Sequence, residues 1–302
     1  MKQMKLNEFK DELLDYMRNE HPEMEWQLNE VNKVNEGSLT AIVGRMEGQT
    51  IAPCLYIEPY FEHYVQEDMT FSAIATVIDF KYQDIQKENV KFNVNDLMDF
   101  EKIKDKIIAQ LINRNSNVQL LDKCPHTNAA GDMAVIYRVA VGVYQEGMSS
   151  ILINNNMLKG WNQSAESLHE LAIENTPRLC PIKIQKLTDT ILDLMKSDSL
   201  GYPISNNEIE EFIEITKTMD DPLQMTVIST QNAVNGATAI LYPEFKEWMK
   251  SYGEDSVILP SSVSECICVK FTGNQNELED LKALVRDANQ SVVSKQDYLS
   301  DG

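Results

Sequence analysis

Apolar residues recur along this chain in two rhythms, one of helical spacing and one of strict alternation. Phe9, Leu13, Tyr16 and Met17 fall at i, i+4, i+7 and i+8, which lines one face of a helix. His21-Pro22 ends that helix, because the residue before a proline is pushed out of the helical region. Leu39, Ala41 and Val43 then alternate, predicting a hairpin of 26–34 and 39–45 around Asn35-Glu36-Gly37. A second helix is expected to start near Asp68, capped by its carboxylate, with Phe71, Ile74 and Ile78 on the buried face. Ile103, Ile107 and Leu111, at steps of four, predict a further helix over 93–112 that the polar run 113–117 stops. That Asn-rich run is the expected boundary between two α+β lobes, 1–116 and 117–302, which can also pack as one continuous unit.

Val135, Tyr137, Val139, Val141 and Val143 are apolar at every second position, and the turn Gln145-Glu146-Gly147 returns the chain as a paired strand over 149–153. Ser164 can cap a helix carrying Leu168, Leu171 and Ala172 that ends before Pro177. Leu187, Ile191, Leu194 and Met195 mark another helix, and Ile209, Phe212 and Ile213 an acidic one after the Gly201-Tyr202-Pro203 break. A third hairpin is expected from 225–230 and 237–242, then a strand at 257–259 and a last helix with Leu278, Leu281 and Val285 on one side. The sum is an α+β fold with mainly antiparallel sheets built from hairpins, each followed by helices; a doubly wound parallel sheet is the weaker alternative.

Three stretches share one pattern, an apolar strand running into a helix closed by an aromatic: Leu55 to Tyr64, Leu152 to Trp161 and Leu241 to Trp248. A repeated strand–helix unit would produce this, as would ordinary strand-to-helix economy used three times. Their polar positions differ, with Glu58 and His63 in the first against Asn155 and Gly160 in the second. The shared part is what packs.

A chain of 302 residues with 43% hydrophobic and 25% charged residues has the composition of a folded globular protein. The outlier is a formal net charge of -20, which repels nucleic-acid phosphate and anionic membrane and favours basic partners. No stretch is long and apolar enough to span a membrane, and the start, mixing Lys and Glu with single apolar residues, does not read as a secretory signal. Cys54, Cys124, Cys180, Cys266 and Cys268 are odd in number and read as reduced core thiols, which places the protein in the cytoplasm.

Standard chemistry leaves few traces. The phosphate-binding patterns GxGxxG and GxxxxGK[ST] and the nucleophile elbow GxSxG are missing, and the 12 glycines are mostly isolated at turns. The four histidines form neither HxH nor HExxH, so no metal or other cofactor is expected. Cys266-x-Cys268 puts two thiols on one strand face without a second pair, and Cys124-Pro125-His126 fits an ordinary loop. Glu58, Glu62, His63, Glu67 and Asp68 cluster on the first block's helix, where a solvated face is the simpler reading than a cation site. The most motif-like stretch is Leu259 to Glu265. Ser262 and Glu265 have the spacing of a capping box at a helix start, and such a start can receive an anion, making Ser261, Ser262 and Glu265 the candidate ligand-binding residues.

Leu259-Pro260-Ser261-Ser262-Val263-Ser264-Glu265, with Leu284 to Asn289 and Tyr298 to Asp301, resembles the uncharacterised bacterial domain-of-unknown-function family 5688, typical of gut anaerobes. The likeness extends to Val34 to Gly37, Gly131 to Tyr137 and Leu171 to Thr176, so it covers nearly the whole chain. It implies no known activity, cofactor or catalytic residue. Ser264 stands where the family pattern leads one to expect a histidine, and relatives often continue past Gly302 into a Tyr-bearing tail, which leaves room for a truncation. Three functions are therefore in play. The leading one is a non-enzymatic cytoplasmic binding or adaptor protein whose acidic surface meets a protein partner, with neither nucleic acid nor membrane bound directly. The others are an acidic nucleic-acid mimic from a mobile element or phage, and an enzyme with a small-molecule site at the Pro260 to Ser262 helix start served by His126.

Overall fold

A computed structural model describes residues 3–49, 52–87, 92–144, 147–197, 203–218, 224–252, 255–260 and 262–302. The chain forms two compact units, Met1–Ile103 and Lys104–Gly302. All strand pairs among the described residues are antiparallel, in three sheets, so the fold is α+β.

The first unit runs α1 (Leu6–Glu20), β1 (Glu25–Lys33), β2 (Gly37–Arg45), β3 (Leu55–Tyr56), α2 (Ile57–Gln66), α3 (Phe71–Lys87) and, after a 3-10 turn, the short α4 (Phe100–Ile103). The predicted first helix and hairpin are both present, and Asn35 and Gly37 supply the positive φ that the turn needs. α1 drives Phe9, Leu13 and Met17, all fully buried, into the layer between the helices and the sheet. Phe9 sits 5.4 Å from Phe61 and 5.5 Å from Phe71, edge to face in both cases. Across the sheet the buried Tyr82 hydroxyl donates to the Gly44 carbonyl and accepts from the Gly44 N–H, each at 2.7 Å. Asp68 does not cap α3. It occupies the left-handed region after α2 (φ 48°), and Thr70 Oγ1 accepts the Ala73 N–H instead.

The second unit opens on a correction. The expected helix over 93–112 is replaced at its second half by β4 (Ile107–Asn113), every residue of which is buried. Spacing of four is also spacing of two taken twice, so Ile107 and Leu111 fit a strand equally well, and the continuous apolar run marks one covered on both faces. β4 pairs with the long β6, which places the division between units before β4. After α5 (Val118–Leu121) and β5 (His126–Asn128) comes β6 (Met133–Tyr144), the strand that alternation predicts, then β7 (Gly147–Leu152). β4 lies along one edge of β6; β5 and β7 share the other. Residues 145 and 146 of the predicted turn lie outside the described residues.

α6 (Asn155–Gly160) leads to α7 (Ala165–Leu179), capped as predicted by Ser164, whose Oγ accepts the Ser167 N–H at 3.2 Å. α7 does not stop before Pro177. The proline removes one donor, but Asn175 and Thr176 are tied to β4, and the helix closes at Cys180 N–H to Thr176 O, 2.7 Å.

β8 (Ile182–Lys186), α8 (Leu187–Lys196), α9 (Asn206–Thr218) and β9 (Thr226–Thr230) follow. The expected third hairpin is absent: residues 236–241 form a 3-10 helix, and β9 pairs with β8 and β11 instead. Small residues explain this, because Gly236, Ala237, Thr238 and Ala239 are all buried, and a Cβ on Gly236 would lie 1.9 Å from the Ser264 carbonyl oxygen. Then come α10 (Pro243–Tyr252), β10 (Ser256–Leu259), β11 (Cys266–Lys270) and α11 (Gln275–Ser291), giving a sheet ordered β10-β11-β9-β8. The threefold strand–helix unit is not carried by the fold. Its third copy has no strand, and Leu55 is buried where the aligned Leu152 is only partly buried.

Gly236→Ala is expected to cost about 3 kcal/mol, since the Cβ would meet backbone that cannot move aside. Gly160, with open space around its Cβ position, is expected to accept alanine with a gain of about 0.5 kcal/mol. Urea midpoints at constant m test the pair; equal effects of the two substitutions would contradict the packing at Gly236.

Candidate functional site

The predicted residues Ser262 and Glu265 do not start a helix. They form the turn of the β10–β11 hairpin, where Ser262 N–H donates to Glu265 O at 3.2 Å and Ser264 N–H to Ser262 Oγ at 3.1 Å. Pairing of Leu259 with Ile267 forces the chain to reverse here, and that overrides the capping box. Ser261 lies outside the described residues. The turn is pinned on both sides: Val263 N–H donates to Asp297 O (2.8 Å), and Ala237 N–H to Val263 O (3.2 Å). Burial pushes the Glu265 carboxyl up. His126 lies on β5 in the other sheet of this unit, its Nδ1 3.2 Å from the Cys124 carbonyl.

Segments far apart in sequence meet instead at the end of β4. Asn113 Nδ2 donates to Asp132 Oδ2 and to the Leu299 carbonyl, each at 2.8 Å, while its Oδ1 accepts the Ser116 N–H at 2.8 Å. Ser300 Oγ donates to Asp132 Oδ1 at 2.5 Å, and Asn289 of α11 donates to the Ser300 carbonyl (2.7 Å) and to Asp301 (3.0 Å). Asn113, Leu299 and Ser300 are each at most 1% exposed. Burial, then Asp301 and Asp132, pushes the Tyr298 hydroxyl up. Three of the stretches that carried the family likeness, those at 131–137, 284–289 and 298–301, are thus joined in one polar lock. Apart from the buried Asn289 Oδ1, which has no hydrogen-bond partner, the polar groups named here are engaged with one another, so the arrangement fastens chain segments together.

A second polar node joins β5, β6 and α7. The Tyr137 hydroxyl lies 2.8 Å from Thr127 Oγ1 and 3.2 Å from His169 Nδ1, and Thr127 Oγ1 is 3.3 Å from the same nitrogen. Tyr137 is fully buried, which pushes its hydroxyl up to about 12 and keeps it protonated. Sequence reasoning missed Asn113, Thr127, Asp132 and Tyr137 as a set. The one available signal was polar residues closing apolar strands.

The acidic cluster of the first unit resolves into separate contacts. Burial alone would push the Glu58 carboxyl up, but Lys10 at 2.9 Å and the Thr40 N–H, 3.0 Å from both oxygens, outweigh it and hold it below the usual value. His63 meets Glu67 at 3.0 Å on the exposed side. Among the described residues, no group of His, Cys, Asp or Glu is placed to hold a metal ion.

The cysteines are free thiols, Cys54 exposed and the other four buried. Burial pushes Cys124 and Cys268 up to about 11 and Cys266 up to about 12. A disulfide-exchange reagent at pH 8 is expected to modify Cys54 first, slowed because partial burial pushes its thiol up despite Arg45, and the other four only on unfolding. These raised values stabilise the fold fully below the unfolded thiol value near 9, and that contribution is lost as pH rises through 11 to 12. Fast modification of several thiols in the native protein, or stability rising above pH 9, would contradict the burial.

Neither the curated proteins nor the solved structures yield a match to this chain. One family does, described as "Family of unknown function (DUF5688)", over residues 6–302. The order of short motifs along the sequence and this nearly full-length match agree, and the chain belongs to that family of unknown function.

Proposed function

We propose that this is a non-enzymatic binding or adaptor protein of the cytoplasm that engages a basic protein partner through its acidic surface. The observation that carries this reading is how the charge is shared. Residues 1–103 hold 20 acidic and 10 basic side chains and residues 104–302 hold 27 and 17, so each unit has a net charge of -10. An excess carried by both units gives each a negative field that steers positively charged surfaces and repels nucleic acid. The candidate chemistry supports the same reading, since the Asn113–Asp132–Ser300 lock binds its own chain. Free, mostly buried thiols suit a reducing compartment. Among the described residues no helix is long and apolar enough to cross a membrane.

The test is retention of source-cell proteins on the immobilised full chain, with elution from about 0.05 M to about 0.5 M salt. Retained proteins are expected to be more basic than the extract and to leave as salt rises. A retained set no more basic than the extract, or elution indifferent to salt, would contradict the proposal. Retention confined to DNA-binding proteins and abolished by added DNA would favour a nucleic-acid mimic instead.

A further inference from the structure

β1 has a free edge. It pairs with β2 alone, in an unbroken register from Glu25 opposite Arg45 to Lys33 opposite Gly37, and carries neither a proline nor a bulge to blunt its outer side. Which of its main-chain groups face outward follows from β2. Thr40 N–H donates to Glu58, and the Gly44 N–H and carbonyl both go to the Tyr82 hydroxyl, so these β2 residues point away from β1. Their partners across the ladder, Glu30 and Trp26, therefore sit in non-hydrogen-bonded pairs, as do Leu28 and Asn32 at the same alternation, and all four direct N–H and C=O away from the sheet. At Trp26 the carbonyl accepts from Arg18 at 3.4 Å, which agrees with that direction. Among the described residues nothing takes up the outward groups of Leu28, Glu30 and Asn32, which offer a ladder to an extended chain.

Beside this edge, on the α1 side of the sheet, lies a cleft of about 420 Å³ lined by Lys10 and Asp11 of α1 and by Leu28, Glu30 and Thr40 of the hairpin. Lys10 is already neutralised by Glu58 at 2.9 Å. Asp11 and Glu30 are exposed and, among the described residues, have no ion pair, so the charge left in the cleft is that of these carboxylates. Partly buried Leu28 lies between them and the core and suits a hydrocarbon stem. The edge selects an extended chain and the carboxylates select a cation, because a strand laid along β1 sends alternate side chains to the cleft beside Glu30. A second copy of this chain is disfavoured, since pairing two β1 edges brings their Asp11 and Glu30 carboxylates together.

We propose that the outer edge of β1 takes an extended, Lys- or Arg-bearing segment of a partner protein as an added strand, with a basic side chain of that segment in the cleft lined by Asp11 and Glu30. This rests on the basic-partner reading above and gives it a location. The probe is a fluorescent peptide of the length of β1, alternating threonine and lysine, titrated onto the full chain. Its controls are an alternating Thr–Glu peptide and the Thr–Lys peptide N-methylated at every residue, which keeps the charge but loses the main-chain donors. The Thr–Lys peptide is expected to bind at least about tenfold more tightly than either control. Joint Asp11→Lys and Glu30→Lys substitution is expected to weaken it about tenfold and to flatten its salt dependence. Asn32→Pro, which removes one outward N–H and leaves both carboxylates in place, is expected to weaken it about threefold. Neither change removes a bond of the β1–β2 ladder, so both variants are expected to unfold cooperatively like the unaltered protein. Thr–Lys binding that N-methylation and both variants leave intact overturns the edge and spares the acidic-surface reading. Absence of Thr–Lys binding, or equal binding of the Thr–Glu peptide, overturns the proposal, and retention of basic proteins on the full chain then decides whether the broader reading falls with it. Dimerisation that Asn32→Pro abolishes assigns the edge to a second copy and likewise overturns the proposal.

Discussion

The outer edge of β4 is the constraint on which the second unit depends. β4 is wholly buried but pairs with only one strand, so the N–H and C=O groups on its far side would be left without partners in the interior. Side chains take up several of them. Thr176 Oγ1 of α7 accepts the Ala109 N–H and Thr238 Oγ1 of the 236–241 helix accepts the Leu111 N–H, each at 2.9 Å. Asn175 Nδ2 donates to the Ile107 and Lys104 carbonyls at 3.1 and 2.8 Å. An edge that ought to recruit another strand is closed by one asparagine and two threonines, and an unmade buried bond of this kind costs about 1–3 kcal/mol.

Much of the unit's arrangement follows from that closure. α7 must carry its last turn through Pro177 to present Asn175 and Thr176, and residues 236–241 must come close enough for Thr238 to reach Leu111. The same segment also lies against β9 and the β10–β11 turn, where Ser229 and Ser264 leave Gly236 no room for a Cβ. At the strand's end Asn113 extends the same logic to residues 299–300, so polar side chains in this unit serve first as fasteners.

Local patterning made most elements legible. Helical spacing located α1, α7, α8, α9 and α11, and alternation located the β1–β2 hairpin and β6. Errors arose where one pattern serves two structures. Ile107 and Leu111 fit helix and strand alike, and the short, mostly apolar run at 237–242 fits a 3-10 helix of small residues as well as a strand. Ser262 and Glu265 have capping-box spacing, but the pairing of β10 with β11, a non-local fact, makes their stretch a turn. The polar lock was illegible because Asn113, Asp132, Asn289 and Ser300 are ordinary residues until the fold gathers them. The short motifs nevertheless pointed to the right family, since their order along the chain is a property of the whole sequence.

Amide hydrogen exchange at Ala109 and Leu111 tests the edge closure most directly. Both amides are expected to exchange as slowly as those of the β4–β6 ladder, with Thr176→Val accelerating Ala109 and Thr238→Val accelerating Leu111. Rapid exchange of both amides in the unaltered protein, or protection that survives loss of the two hydroxyls, would contradict the account.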